Sequence, residues 1–158
     1  MAESAGLTYG SLYSQFGSKE RLLAETMERA FGNFAAKLSD LDNLDDYIQR
    51  YLSLEHRDHP GEGCVVAALG SEMFRQGPEI REVFDTALKR RTSRLASLMP
   101  HRRRRKKEND ALAVMATMAG AMILARAVDD PKTSERILSA CRDWLKDALS
   151  DREHNASK

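Results

Sequence analysis

Residues 131–149, PKTSERILSACRDWLKDAL, decide the fold class. Ile137, Leu138, Cys141, Trp144, Leu145, Ala148 and Leu149 recur every three or four positions, the spacing that lines apolar side chains along one face of a helix. Asp130-Pro131 supplies the cap and the first turn. Working outward toward the N-terminus, the same period returns. Residues 108–129 predict a helix with the large residues Leu112, Met115, Met118 and Met122 on one face and the small ones Ala113, Thr117, Gly120 and Ala121 on the other. Residues 78–99 predict another, burying Ile80, Val83, Phe84, Ala87, Leu88, Leu95 and Leu98. Residues 64–75, with Val65, Val66, Leu69 and Met73, predict a central helix stopped by Gly77-Pro78. After the Asp42-Asn43 break, Leu44, Tyr47, Ile48, Tyr51 and Leu52 share one side of a further helix. Ser18 is placed to cap a long helix whose apolar face carries Leu22, Leu23, Thr26, Met27, Ala30, Phe31, Phe34 and Leu38. No strand pattern competes, and the chain is predicted to be all-α.

With 158 residues, 42% hydrophobic and 31% charged, the chain suits one domain with a proper core and a small appendage, and excludes two large domains. Its 25 Lys and Arg nearly balance 24 Asp and Glu, and the basic run 102–107 leaves the rest net acidic. A general basic coat for nucleic acid is therefore excluded, so any DNA contact must come from a local surface. The basic run itself reads as a solvated connection. The charge-free stretch 111–125 falls short of the roughly 20 apolar residues of a membrane span, and no charged-apolar-small leader opens the chain, so the cytoplasm is the expected compartment and no membrane the expected partner. Cys64 and Cys141 lie far apart without metal or redox spacing and read as reduced thiols. His56 and His59, beside Asp58, lack a third ligand, so no metal is expected. No nucleophile elbow, Gly-rich phosphate loop or paired-carboxylate pattern is present, and the chain is read as neither an enzyme nor the holder of a cofactor. Residues 152–158 have no apolar anchor and are expected to be a disordered tail.

The first 23 residues carry the functional reading. Ala5-Gly6-Leu7-Thr8 has the character of a turn, with Thr8 capping a short helix that ends near Phe16, so the order is short helix, turn, long helix. The run AESAGLTYGSLYSQFGSKERLL resembles the helix-turn-helix signature of TetR-family transcriptional regulators: Ala-x-x-Ala-Gly, then Ser or Thr, Gly, Tyr, Phe and Lys at fixed offsets. Ala5, Gly6, Thr8, Gly10, Tyr13, Phe16 and Lys19 occupy those positions. The stretches GCVVAALGSEMFRQGPEIREVF and ALAVMATMAGAMILARAV are similar, less specifically, to the family's helical ligand and dimer domain. The resemblance implies that residues 1–38 form a partial DNA-binding head with its connecting helix, and 39–151 an effector-binding and dimerisation domain. The family's usual first helix and most of its second would precede Ala2, so a remnant of the head is expected. Thr8, Tyr9, Gly10 and Ser14 are the implied groove-facing positions, with Gly10 allowing close backbone approach, while Tyr13 and Lys19 hold phosphates. Operator DNA is the partner implied for a chain with a complete head.

Met27, Phe31, Phe34, Met73, Phe74, Phe84, Met115, Met118 and Met122 recur on several helix faces. Such a set either fills a core or lines an adaptable apolar pocket, and the resemblance implies a pocket for a small, mostly apolar effector. Tyr47, Tyr51, Gln76, Arg75 and Glu72 are the candidate polar anchors. Ala113, Thr117 and Ala121 permit close helix approach, and Trp144 and Leu145 add apolar bulk, so these are the candidate homodimer surface. The implied function is a ligand-responsive transcriptional repressor. The alternative is a dimeric small-molecule-binding or protein-interaction module that does not bind DNA in this truncated form.

Overall fold

The computed structural model describes residues 17–99 and 104–154, with side chains for 17–99 and 105–150. The helices are α1 (Lys19–Ala36), α2 (Leu44–Tyr51), α3 (Leu54–Asp58), α4 (Val65–Leu69), α5 (Pro78–Leu98), α6 (Arg104–Ala127) and α7 (Pro131–His154). Tighter 3-10 turns occupy Pro60–Glu62 and Gly70–Arg75, and no strand occurs among the described residues. The fold is all-α, as predicted.

Side chains start the helices where the sequence placed caps. Ser18 Oγ accepts from the Arg21 amide at 3.1 Å, directly after Gly17 turns the chain at φ 72°. Asn43 accepts from the Asp46 amide at 2.8 Å, and Asp130 from the Thr133 amide at 3.0 Å. The carbonyl ends of the two short helices are satisfied from a distance in sequence. Arg142 donates to the Leu52 carbonyl, and Arg126 to the carbonyls of Arg57 at 3.1 Å and His56 at 2.5 Å.

Helix α6 is central, touching α3, α4, α5 and α7, while α1 lies along α5. The larger core gathers Leu44, Tyr47, Ile48, Tyr51 and Leu52 of α2 and its C-cap against Met115, Met118 and Met122 of α6 and Leu138 and Leu145 of α7. A smaller core joins Met27 and Phe31 of α1 to Val65, Met73 and Ile80.

Several expectations are corrected. Residues 64–75 are not one helix: α4 gives way to a 3-10 turn at Gly70, where poor helix formers Gly70 and Ser71 meet and a Cβ would lie 3.9 Å from the Phe84 ring. The basic run is not all connection, because Arg104–Lys107 already belong to α6 and Lys107 Nζ donates to the Met99 carbonyl at 3.1 Å. Leu112 is half exposed rather than grouped with the methionines, and Ala121 is buried rather than on the outer face. At 100° per residue the buried residues of α6 centre on Met118, from which Leu112 lies about 120° away and Ala121 only about 60°. Helix α6 is also, by length and composition, apolar enough over Arg105–Ala127 to cross a membrane, and half of its most apolar stretch is buried inside the structure. Helix α7 runs to His154, into the segment expected to be disordered.

Candidate ligand cavity

Side chains from three helices meet around Arg91. On α1, Phe31 and Phe34 face inward, three residues apart. On α2, Tyr47 and Tyr51 are one turn apart on the buried side. On α5, Arg91 occupies the buried stripe between Ala87 and Leu95, each four residues away, so helix geometry carries a cation into the interior.

Arg91 is 5% exposed. Its Nη2 donates to Tyr47 Oη at 3.1 Å, and its guanidinium carbon lies 4.5 Å from the Phe34 ring centroid and 5.7 Å from that of Tyr51. The aromatic faces attract the cation, but they do not replace hydrogen-bond acceptors. Nε and Nη1 are buried and meet no acceptor, and no carboxylate pairs with Arg91 among the described residues. Burial pushes the Tyr47 phenol above its usual range and the Tyr51 phenol well above it. The Tyr51 hydroxyl is likewise buried, with the Cys64 thiol beside it and no oxygen or nitrogen partner.

Behind this group, His56 packs 4.7 Å from the rings of both Phe34 and Tyr51. Its Nε2 accepts from the Cys64 amide at 2.9 Å, which leaves Nδ1 to donate to the Tyr51 carbonyl at 2.6 Å. Both nitrogens are used by the neutral ring. Burial, with Arg126 and Arg91 adding positive charge nearby, brings the imidazole pKa down to about 4.

Two cavities share Leu38 in their walls. One, of about 220 Å³, lies between α1, α2 and α5 and is lined by Phe31, Gly32, Ala35, Leu38, Ser39, Tyr47, Ala87, Arg90, Arg91 and Arg94. The other, of about 190 Å³, is lined by Phe34, Lys37, Leu38, Arg50, Ser53, Glu55, His56, His59 and Glu62. In the second, charges answer one another: Lys37 meets Glu62 at 2.6 Å and Arg50 meets Glu55 at 3.6 Å. In the first there are three arginines and no carboxylate. Unanswered charge beside an apolar wall makes the first cavity the candidate site.

The sequence-chosen pocket residues divide. Phe31 lines the first cavity and Phe34 the second, while Met27 and Met73 belong to the smaller core and Phe84 packs against it. Met115, Met118 and Met122 fill the larger core and line neither cavity. Phe74 is 71% exposed, its ring under the Arg75 guanidinium at 5.0 Å, because the 3-10 turn points it outward. Of the proposed anchors, Tyr47 lines the first cavity, Tyr51 is enclosed behind it, and Arg75 and Glu72 pair with each other on the surface. Arg91 was not among them, although a cation in register with Ala87, Leu88 and Leu95 is a readable signal.

Of the dimer candidates, Ala113 and Trp144 are exposed and Thr117 partly so, whereas Ala121 and Leu145 are buried within the chain's own core. The outward side of α6 and α7 bears Leu112, Ile123, Leu124 and Trp144, all 42% exposed or more. Lys19 opens α1 with its side chain exposed. Thr8, Tyr9, Gly10, Tyr13 and Ser14 lie outside the described residues. Compared with known proteins, the chain matches no protein-family model and no curated protein.

Proposed function

We propose that the chain is the effector-binding and dimerising part of a TetR-like cytoplasmic transcriptional repressor, released from its operator by a small amphipathic molecule. The observation that carries this reading is the cavity of about 220 Å³ whose wall is α1, the helix that follows directly on the helix-turn-helix-like segment. A ligand seated against Phe31, Gly32 and Ala35 contacts the element that would carry the head, so occupancy and head position share one lever. The exposed apolar side of α6 and α7 supports the second half of the proposal. Leu112, Ile123, Leu124 and Trp144, with Ala113 and Thr117 between them allowing close approach, suit a two-fold helix pairing. Two heads held by such a dimer meet half-sites about one DNA turn apart. An effector that binds better to the other head spacing shifts the population off DNA and relieves repression.

The test is fluorescence anisotropy of the chain against DNA flanking its own gene, with a scrambled duplex as control and at two salt concentrations. Sequence-selective binding with a steep salt dependence supports the regulator. Equal, weak binding to both duplexes overturns it for this chain and leaves a dimeric ligand-binding module.

A further inference from the structure

We infer that the cavity between α1, α2 and α5 takes an organic carboxylate with a compact apolar body, its headgroup held by Arg91 and Tyr47. The inference rests on the effector-cavity reading above and names the ligand class of that site. Arg91 is charged at every physiological pH, is 5% exposed, and has two enclosed nitrogens, Nε and Nη1, from which no described group accepts. A protein that buries such a charge beside only a thiol, Cys64, and two phenols, Tyr47 and Tyr51, with no carboxylate, leaves a place for an anion from outside. A carboxylate suits that place: once the guanidinium turns to the cavity, one oxygen accepts from Nε or Nη1 and the other from the second N–H of Nη2, whereas an alcohol or an amide offers no charge. Tyr47 Oη already accepts from Arg91, so its own O–H remains to donate to the same anion.

The rest of the cavity selects the body. Phe31, Ala35, Leu38 and Ala87 form an apolar wall, which an inorganic ion would leave uncovered. Arg90 and Arg94 stand exposed beside Arg91 on α5 and line the same cavity, and Arg94 donates to the Leu41 carbonyl at 2.9 Å. They add positive potential where an anion enters, with no acid in the lining to oppose it.

Calorimetric titration of the full chain with hexanoate, octanoate and decanoate, with the alcohols of the same lengths, and with inorganic phosphate tests this. At least one carboxylate is expected to bind about ten-fold or more tighter than its alcohol, with phosphate far weaker than either. Arg91→Gln removes the preference for the acid, and Arg91→Lys, which keeps charge but not the fork, retains part of it. Tyr47→Phe, which leaves Arg91 in place, weakens the carboxylates and not the alcohols. It serves as the second variant if circular dichroism shows the Arg91 variants to be unfolded. Equal binding of acids and alcohols overturns the carboxylate class while leaving the cavity reading intact. No binding by either series overturns both, and phosphate binding as tightly as decanoate reduces the site to a surface charge and overturns the proposal.

Discussion

Acidifying the protein should unfold it through His56 before most carboxylates titrate. The folded imidazole has a pKa of about 4, against the ordinary value of 6.5, because it is buried with Arg126 and Arg91 nearby, which outweighs the opposing bond from Nδ1 to the Tyr51 carbonyl. Below pH 6.5 the unfolded chain takes up a proton that the folded chain refuses until about pH 4, so stability present above 6.5 is lost as pH falls through that window and levels below it. At about 1.4 kcal/mol per pKa unit the loss comes to about 3 kcal/mol, a large share of a small domain's stability. The control is His56→Gln, whose amide N–H donates to the Tyr51 carbonyl and whose oxygen accepts from the Cys64 amide without titrating. Urea unfolding of both proteins between pH 7.5 and 4 is the assay. Asp58, Glu62 and Asp130, exposed and held below the usual carboxylate range by Arg57, Lys37 and Thr133, titrate in both and cancel in the difference. The native protein should lose about 3 kcal/mol more than the variant over that range. Parallel curves would refute the assignment of His56 as a buried neutral ring.

Other perturbations read separate parts of the structure. Arg91→Met removes a buried charge with two unanswered nitrogens while keeping an unbranched apolar stem, and should raise the ligand-free stability by about 1–3 kcal/mol, or roughly 2–12 °C in thermal midpoint. A fall in midpoint would mean that the guanidinium is a satisfied structural element. Gly63→Ala sets a Cβ 2.8 Å from His56 Nε2 and 2.9 Å from Arg126 Nη2, and because that ring is pinned by two hydrogen bonds it should cost about 1–3 kcal/mol in chemical denaturation. Trp144→Glu puts a charge on the outward face of α7 and should convert a dimer to a monomer in sedimentation velocity without lowering helix content; an unchanged sedimentation coefficient would rule this face out as the interface. Ser18→Ala removes the acceptor for the Arg21 amide and should lower stability by about 1 kcal/mol in urea unfolding.

Helix identity was legible in the sequence because the 3.6-residue period and the caps are local. The α2 stripe Leu44, Tyr47, Ile48, Tyr51 and Leu52 is buried in full, and Ser18, Asn43 and Asp130 stand where their side chains close a first turn. Facing was less secure on α6, which is apolar all the way round, so no polar stripe marked which side meets the core. Leu112 and Ala121 exchanged their expected roles there for that reason. On α7 the apolar stripe is wider than the core it covers, leaving Leu145 inside and Trp144 out. The candidate site is a relation between helices distant in sequence. Arg91 meets Tyr47 across 44 positions, and the apolar pattern of α5 alone gives no hint of the two tyrosines and the phenylalanine that enclose it. The sequence by itself determined an all-α chain, the starts of α1, α2, α5 and α7 and most of its buried residues, since each depends on neighbours within a turn or two. Only the tertiary structure decided that a cation lies unanswered beside a cavity, because charge burial is set by what packs around a side chain rather than by what precedes or follows it.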